Sequence, residues 1–440
     1  MSGRQWRVVT EKGDVICEAV VNAGGYRGAE ITAMVGQQLP LVTLEHQYLI
    51  TEDLPEVRAL DKRLVLIRDP GDCFYLRQER DGLLLGTYGH PGKPVWLDGI
   101  PPDFGMALFA DATDDVEHVV ERAVARVPLL GRAGIKGVVN GPIAYAPDAQ
   151  PLVGPAGGLE NFYHCCGLQV GITHGPAAGK MIAEYIVEGE TEWDPFGWDP
   201  RRFGAWATPQ YTTARACELY EHQCAIPYPH RIWESARPVQ RTPLYDRLRE
   251  RGGVFAQIGG WERAMWFEKP GVVDDGELSF GHECWHEAVK LECEAARDAV
   301  AIMDHGGFSR YEIHGPGAVE FLDHLVCTRL PAIGRVRLGY FLTHKGMILT
   351  EATIARLENE RFMLCGPTLP ERRDFDWLQQ HRPRDAEFVI DDCCEFDGAL
   401  ILAGPLSRRL LSRLTSADIE ARAIPWMGVK NIELTGWKCA

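Results

Sequence analysis

Alternation of apolar and polar positions marks out the elements of this chain. An extended run from Trp6 to Thr10, turn residues Glu11-Lys12-Gly13-Asp14 and an apolar, β-branched run from Val15 to Val21 together predict a β-hairpin. Asn22-Ala23-Gly24-Gly25 closes that second strand on a glycine pair, which either makes a tight turn or lets backbone approach a ligand, since no Cβ stands in the way. The strand Val42 to Ile50 alternates so that His46 shares a face with Leu44, Tyr48 and Ile50, while Glu45 and Gln47 point to the other side. On a neighbouring strand Tyr75, Arg77 and Glu79 share one face, and Phe74 and Leu76 fill the opposite one.

A second glycine-bearing region runs from Asn161 to Lys180. An apolar strand there enters a loop containing Gly167 and Gly171, and a helix is expected with Pro176 in its first turn, running to Val187 with Gly189 as its stop. Met181, Ile182, Tyr185 and Ile186 fall on one face of that helix. The Pro, Trp and Gly cluster at 193–209 and the Pro-rich run at 226–230 break the chain, so residues 196–242 read as a connector with a short helix at Thr213 to His222. Beyond it, the strand Phe308 to His314, a helix opened by Pro316-Gly317, and the strands Gly339 to Thr343 and Ile348 to Leu357 around the turn His344-Lys345-Gly346 read as an α+β unit.

With 440 residues the chain suits two or three domains, and 45% apolar residues are enough to build their cores. A formal charge of -16 and a pI near 5.4 argue against nucleic acid or an anionic membrane surface as partners, and no window is long and apolar enough to span a bilayer. Thirteen cysteines include the vicinal pairs Cys165-Cys166 and Cys393-Cys394 but no Cys-x-x-Cys, which predicts buried free thiols in a reducing compartment.

Taken in order, Val20 to Gly25, Leu44-Glu45-His46-Gln47-Tyr48, Phe74 to Glu79, Ala146 to Gly154 and Gly167 to Lys180 resemble the dimethylglycine and sarcosine dehydrogenase family. Arg237-Pro238, Thr242 to Leu248, Gly260-Trp261-Glu262-Arg263 and Gly307 to Cys365 extend the resemblance to that family's glycine-cleavage T-protein-like half. The resemblance implies an α/β FAD-binding domain of the D-amino-acid-oxidase fold over residues 1–195, the connector 196–242, and an α+β aminomethyltransferase-like, folate-binding domain over 243–440. It implies FAD and tetrahydrofolate as cofactors, a small N-methylated amino acid as substrate, an electron-transfer partner, and a mitochondrial matrix or bacterial cytoplasmic location. Relative to the family pattern, no Gly-x-Gly-x-x-Gly turn precedes Val20, and the chain stops at Ala440 before the later T-domain strands, so both domains are expected to be partial and the polypeptide alone inactive. A non-catalytic homologue, such as a pyruvate dehydrogenase phosphatase regulatory subunit, is the rival reading, and a bare folate-binding module is a third.

Carried over residue by residue, the resemblance makes Asn22, Ala23, Gly24, Gly25, Gly167, Leu168, Gln169, Gly171 and Ile172 the flavin-binding positions. His46 becomes the acid/base and Tyr75 its positioning partner, against the plainer readings of a hydrogen-bonded core histidine and a rim tyrosine. Such a pair suits amine oxidation, because a flavin accepts a hydride only from a carbon next to an unprotonated nitrogen, and a histidine titrating near neutrality can take the ammonium proton. Arg77 is either a surface residue or a fork for a substrate carboxylate. In the T-like half, the acidic pair expected after the turn is replaced by Thr350 and Glu351, which leaves Glu351 to orient folate or to lie in solvent. His282-Glu283-Cys284-Trp285-His286 matches His-Glu-x-x-His literally. It lacks a Gly-x-x-His continuation and begins a helix expected to bury Trp285, Val289 and Ala296, so no metal is assigned.

Overall fold

The computed structural model describes residues 5–272 and 275–439, which divide into one unit of residues 1–200 and 207–236 and a second of residues 201–206 and 237–440. The N-terminal run splits where a single strand was expected. Strands β1 (Trp6–Val8) and β2 (Val15–Cys17) form the antiparallel hairpin, and β3 (Val20–Asn22) leaves it to pair in parallel with a strand more than a hundred residues away.

Helix α1 (Gly28–Ala33) follows β3. The central sheet of the first unit is then built around β4 (Val42–Thr51), with short helix α2 (Pro55–Arg58) leading to β5 (Ile67–Asp69), β6 (Phe74–Glu79), β7 (Gly82–Thr87) and β8 (Pro94–Val95). The order is β5-β6-β7-β4-β8, and the long β9 (Ile135–Tyr145) pairs with the other edge of β4 from Val42↔Tyr145 to Ile50↔Gly137.

Period-two alternation sorts the two faces of this sheet. One face carries Leu76, Leu83 and Leu85 against Val119 and Ala123 of helix α3 (Glu117–Arg126). The other carries Leu44, His46, Tyr48 and Tyr75, since the cross-strand pairs Tyr48↔Gly86 and Tyr75↔Gly86 fix the register.

A three-stranded sheet, β10 (Leu152–Pro155), β11 (Phe162–Cys166) and β3, completes the unit, with β11 and β3 parallel. Helix α4 follows as Gly171–Glu188, five residues longer at its start than the proline suggested; Pro176 lies inside it and Gly189, in the left-handed region at φ 81°, ends it. Met181, Ile182 and Tyr185 are buried as the helical spacing requires, whereas Ile186 is exposed. Helix α5 (Pro209–Glu221) starts four residues earlier than expected because Thr208 caps it, its Oγ1 accepting from the Tyr211 N–H at 3.2 Å, with Pro209 in the first turn. α5 buries Ala216 and Tyr220 against Val42, Leu44 and Tyr145, so this stretch of the expected connector is part of the first unit's core.

The second unit opens with α6 (Tyr245–Glu250) and the hairpin β12 (Gly253–Ile258) and β13 (Trp261–Phe267). Helix α7 (Trp285–Asp298) and β14 (Ala301–Asp304) precede a five-stranded antiparallel sheet of β15 (Ser309–His314), β16 (Arg335–Leu342), β17 (Ile348–Glu358), β18 (Arg361–Gly366) and β19 (Val389–Asp392), ordered β16-β17-β18-β15-β19. Helices α8 (Ala318–Leu325) and α9 (Glu371–His381) cover it, burying Phe321, Leu322 and Leu378 against Ile313, Ile354 and Phe362. Cys166, Cys224 and Cys394 are buried as expected, but Cys293 and Cys327 are exposed. Among the described residues no helix is long and apolar enough to cross a membrane.

Candidate functional site

The two glycine regions converge because β3 and β11 run side by side in parallel, His164 facing Asn22 across the pair. Their carboxyl ends therefore lie together, and each passes directly into a glycine turn, the position at which open α/β sheets receive dinucleotides. Asn22 is a framework residue in this turn. Its buried side chain donates from Nδ2 to the Gly28 carbonyl (2.8 Å) and to Thr32 Oγ1 (3.0 Å) and accepts from the Gly24 N–H (3.1 Å).

The glycines then divide by task. A Cβ on Gly24 would sit 2.5 Å from Ile31 Cδ1, so Gly24 lets α1 approach the turn. Gly25, at φ 56°, and Gly171 border open space, with no atom within 4 Å of where a Cβ would be. Ala23 and Ile172 are exposed beside them, Gly167 adopts φ 67°, and the buried Nε2 of Gln169 has no partner. Glycine-edged backbone that borders open space fits close approach of the isoalloxazine end of FAD, which residues 23–25 and 167–172 would hold.

On the sheet, His46 stands in an aromatic group. Its Nδ1 lies 2.9 Å from the Tyr220 hydroxyl, and its ring centroid is 5.0 Å from Tyr88. Tyr75 meets the same group at Tyr88, at 6.3 Å, and Tyr220 is a hydrogen-bond partner of His46. Burial, reinforced by neighbouring His90, lowers the His46 pKa to about 4, so the ring is neutral at pH 7 and its lone pair is available. Burial likewise pushes Tyr75 up to about 12 and Tyr220 and Tyr88 well above the usual range, keeping all three hydroxyls protonated. Gly86 is what seats Tyr75: a Cβ there would fall 1.8 Å from Tyr75 Cζ, so the ring lies flat across the glycine. Arg77 pairs with Glu79 on the same strand face at 2.6 Å.

Sequence reasoning missed Tyr88, Gly86 and Tyr220. For Tyr220 the available signal was the buried stripe Tyr211, Arg215, Ala216, Tyr220 on α5, which marks a packed face without saying what it packs against.

In the second unit a small pocket is lined by Tyr311, Phe341, Thr350, Asp374, Trp377 and Leu378. Thr350 Oγ1 donates to Asp374 Oδ2 at 2.8 Å, and Arg373 grips the same carboxylate through Oδ1. Glu351, one residue on, is exposed on the strand's other side. The carboxylate at this pocket thus comes from α9. In the His282 to His286 segment the two imidazoles stack at 4.0 Å, but α7 starts only at Trp285, and its fully buried residue is Ala288 rather than Trp285, Val289 or Ala296. Among the described residues the one cluster with metal-ligand spacing is Glu371, Asp392 and Cys394.

Residues 1–185 match the FAD dependent oxidoreductase family, 188–242 the FAD dependent oxidoreductase central domain, and 244–440 the GCVT N-terminal domain. Dimethylglycine dehydrogenase of Mus musculus is 35% identical over 98% of the chain and 50% of its own length. Sarcosine dehydrogenase of Homo sapiens is 27% identical over 98% of the chain and 51% of its own. Over nearly its whole length the chain is similar to the dimethylglycine and sarcosine dehydrogenases. It joins a segment that matches the FAD dependent oxidoreductase family to one that matches the GCVT N-terminal domain and spans about half the length of these relatives. The pyruvate dehydrogenase phosphatase regulatory subunit of Mus musculus is related as well, 26% identical over 98% of the chain and 50% of its own length.

Proposed function

We propose that the first unit serves the oxidation of a small N-methylated amino acid and that the second serves transfer of the released one-carbon unit to tetrahydrofolate. The observation that carries this reading is a hydrogen-bonded His46 grouped with Tyr88 on the sheet face that carries Tyr75, in the unit that holds the two convergent glycine turns. When bound, FAD supplies a two-electron acceptor for the C–H bond next to nitrogen. His46 takes the proton of the incoming ammonium on Nε2, because Nδ1 is engaged with Tyr220. Tyr75, its hydroxyl held protonated, orients the amine from its seat on Gly86. The backbone of 23–25 and 167–172 would hold the cofactor.

The test is anaerobic mixing of FAD-loaded protein with dimethylglycine and with sarcosine, following bleaching of the flavin absorbance. His46→Ala is expected to slow bleaching by about a hundredfold or more. Protein that takes up FAD but is bleached by neither amine refutes the reading, whereas failure to take up FAD matches the inactivity expected of the polypeptide alone. A non-catalytic role, like that of the regulatory-subunit relative, is favoured by one observation only, the threonine at position 350 where an acid was expected. Asp374 beside Thr350 supplies a carboxylate at the same pocket, which favours a working folate site.

A further inference from the structure

Residues 96–112 link the first glycine turn to the strands around His46. At their near end they are gripped by a charged pair just after Gly25. Arg27 donates to the carbonyls of Pro101 (2.9 Å) and Phe104 (2.9 Å), and it pairs with Glu30 Oε2 at 3.0 Å. The other Glu30 oxygen accepts from the Ile100 N–H at 3.0 Å. Beside this clasp the Tyr26 ring packs on Trp96 (5.5 Å) and Phe104 (6.0 Å), and both of those rings meet Phe109, at 5.2 and 5.6 Å.

At the far end the segment is pinned to β9 and β4. The Phe109 N–H donates to the Asn140 carbonyl (2.8 Å), Asn140 Nδ2 to the Ala110 carbonyl (2.8 Å) and Gln47 Nε2 to the Ala112 carbonyl (2.7 Å). Leu108, just before these bonds, reaches the His46 face of the sheet. Gly141 opposes His46 in the β4–β9 pair, so a Cβ at 141 would point to the His46 side, and it would stand 3.2 Å from Leu108 Cδ2. Leu108 is nonetheless exposed, so the rest of its side chain borders open space one strand away from His46.

An Arg–Glu pair three residues apart on a helix surface contributes little by itself. This pair differs in what else it holds: two N–H groups of Arg27 and one oxygen of Glu30 close on the backbone of residues 100–104. Trp96 and Met106, on either side of the gripped stretch, lie in the left-handed region at φ 58° and 51°, which residues with a Cβ keep only where their surroundings impose it.

We propose that residues 96–109 form the amine-side wall of the oxidation site, a strap hung from the first glycine turn by Arg27 and Glu30, with Leu108 bounding the space for the nitrogen's substituents. This rests on the assignment of His46 as the base for amine oxidation. The nitrogen whose proton His46 takes stands at His46, so its alkyl groups reach the neighbouring row of β9, where Gly141 leaves room and Leu108 closes it. An apolar side chain there suits a methyl group and disfavours a second charge. A strap hung from the turn that borders the cofactor is in place only when that turn is formed, so the turn and the amine wall are set together.

Two measurements test it. Amide hydrogen exchange of the protein without flavin reads the clasp: Arg27→Leu should speed exchange across 97–109, and Glu30→Ala that of the Ile100 amide, about tenfold or more, while β4 and β7 keep wild-type protection. Exchanging the two charges, Arg27→Glu with Glu30→Arg, restores an ion pair but sets an acceptor against two carbonyls and a donor against the Ile100 N–H, so exchange should stay fast. Wild-type protection in the exchanged pair, or in Arg27→Leu, overturns the strap. In FAD-loaded protein, Leu108→Ala should raise the rate of flavin reduction by N-butylglycine relative to sarcosine about tenfold or more. An unchanged ratio overturns the wall while a slow His46→Ala leaves the base assignment standing; an unaffected His46→Ala removes both.

Discussion

Gly86→Ala is the sharpest probe of how the candidate site is seated. A Cβ at position 86 would lie 1.8, 2.1 and 2.2 Å from Cζ, Cε1 and Oη of Tyr75, where carbon atoms in contact ordinarily stand about 3.5–4.0 Å apart. The ring must therefore move by roughly 2 Å. Overpacking of this kind costs about 1–3 kcal/mol, offset by about 0.5–1 kcal/mol gained when alanine replaces glycine inside a strand. The net expectation is a loss of about 1–2 kcal/mol, together with displacement of Tyr75 from Tyr88. Urea midpoints at constant m for wild type, Gly86→Ala, Tyr75→Ala and the double variant give the coupling directly. With Tyr75 truncated the clash is gone, so Gly86→Ala should turn neutral or slightly stabilising, a coupling of about 1–3 kcal/mol. Strict additivity, within about 0.5 kcal/mol, would refute the seating of Tyr75 on Gly86.

Other expectations follow from the same contacts. Burial lowers both His46 and His164 to about 4, so the unfolded chain binds protons that the native chain refuses, and stability should fall as pH drops from 6.5 towards 4, by up to about 3 kcal/mol per histidine. Urea midpoints between pH 7 and 4.5 should show this slope, and His46→Gln should flatten it. Glu371 behaves oppositely: burial raises it to about 7, the native state keeps a proton the unfolded state has released, and stability should decline between pH 4.5 and 7 unless Glu371→Gln removes the effect. Asn22→Ala, which strips three hydrogen bonds from the first glycine turn, should cost about 2–4 kcal/mol in denaturation and weaken FAD retention in equilibrium dialysis.

Much of the fold is legible in local pattern. The alternation in Val42 to Ile50 placed His46 on the face it occupies, the Tyr75 and Phe74 faces separated as read, and Gly189 stops its helix. Errors arose where tertiary pairing outweighed local propensity. Val15 to Val21 reads as one strand, but its last residues pair with β11 instead of the hairpin partner. Pro176 suggested a helix start, yet five residues before it are helical as well, and a proline reports only that its own N–H is not needed. The Asn22 side chain is engaged by its own turn, which its position beside a glycine pair does not reveal.

Sequence alone determined the two-part composition, the strand and helix periods, and the residues able to move a proton, because these depend on neighbours in the chain and on side-chain chemistry. Only the tertiary structure decided which of those residues meet. Tyr220 comes to His46 across 174 positions, Gly86 seats Tyr75 from the adjacent strand, and Asp374 brings a carboxylate from α9 to Thr350. Such contacts are set by the packing of helices on sheets, which no local pattern encodes, and they in turn fix the protonation, orientation and solvent access of the candidate site.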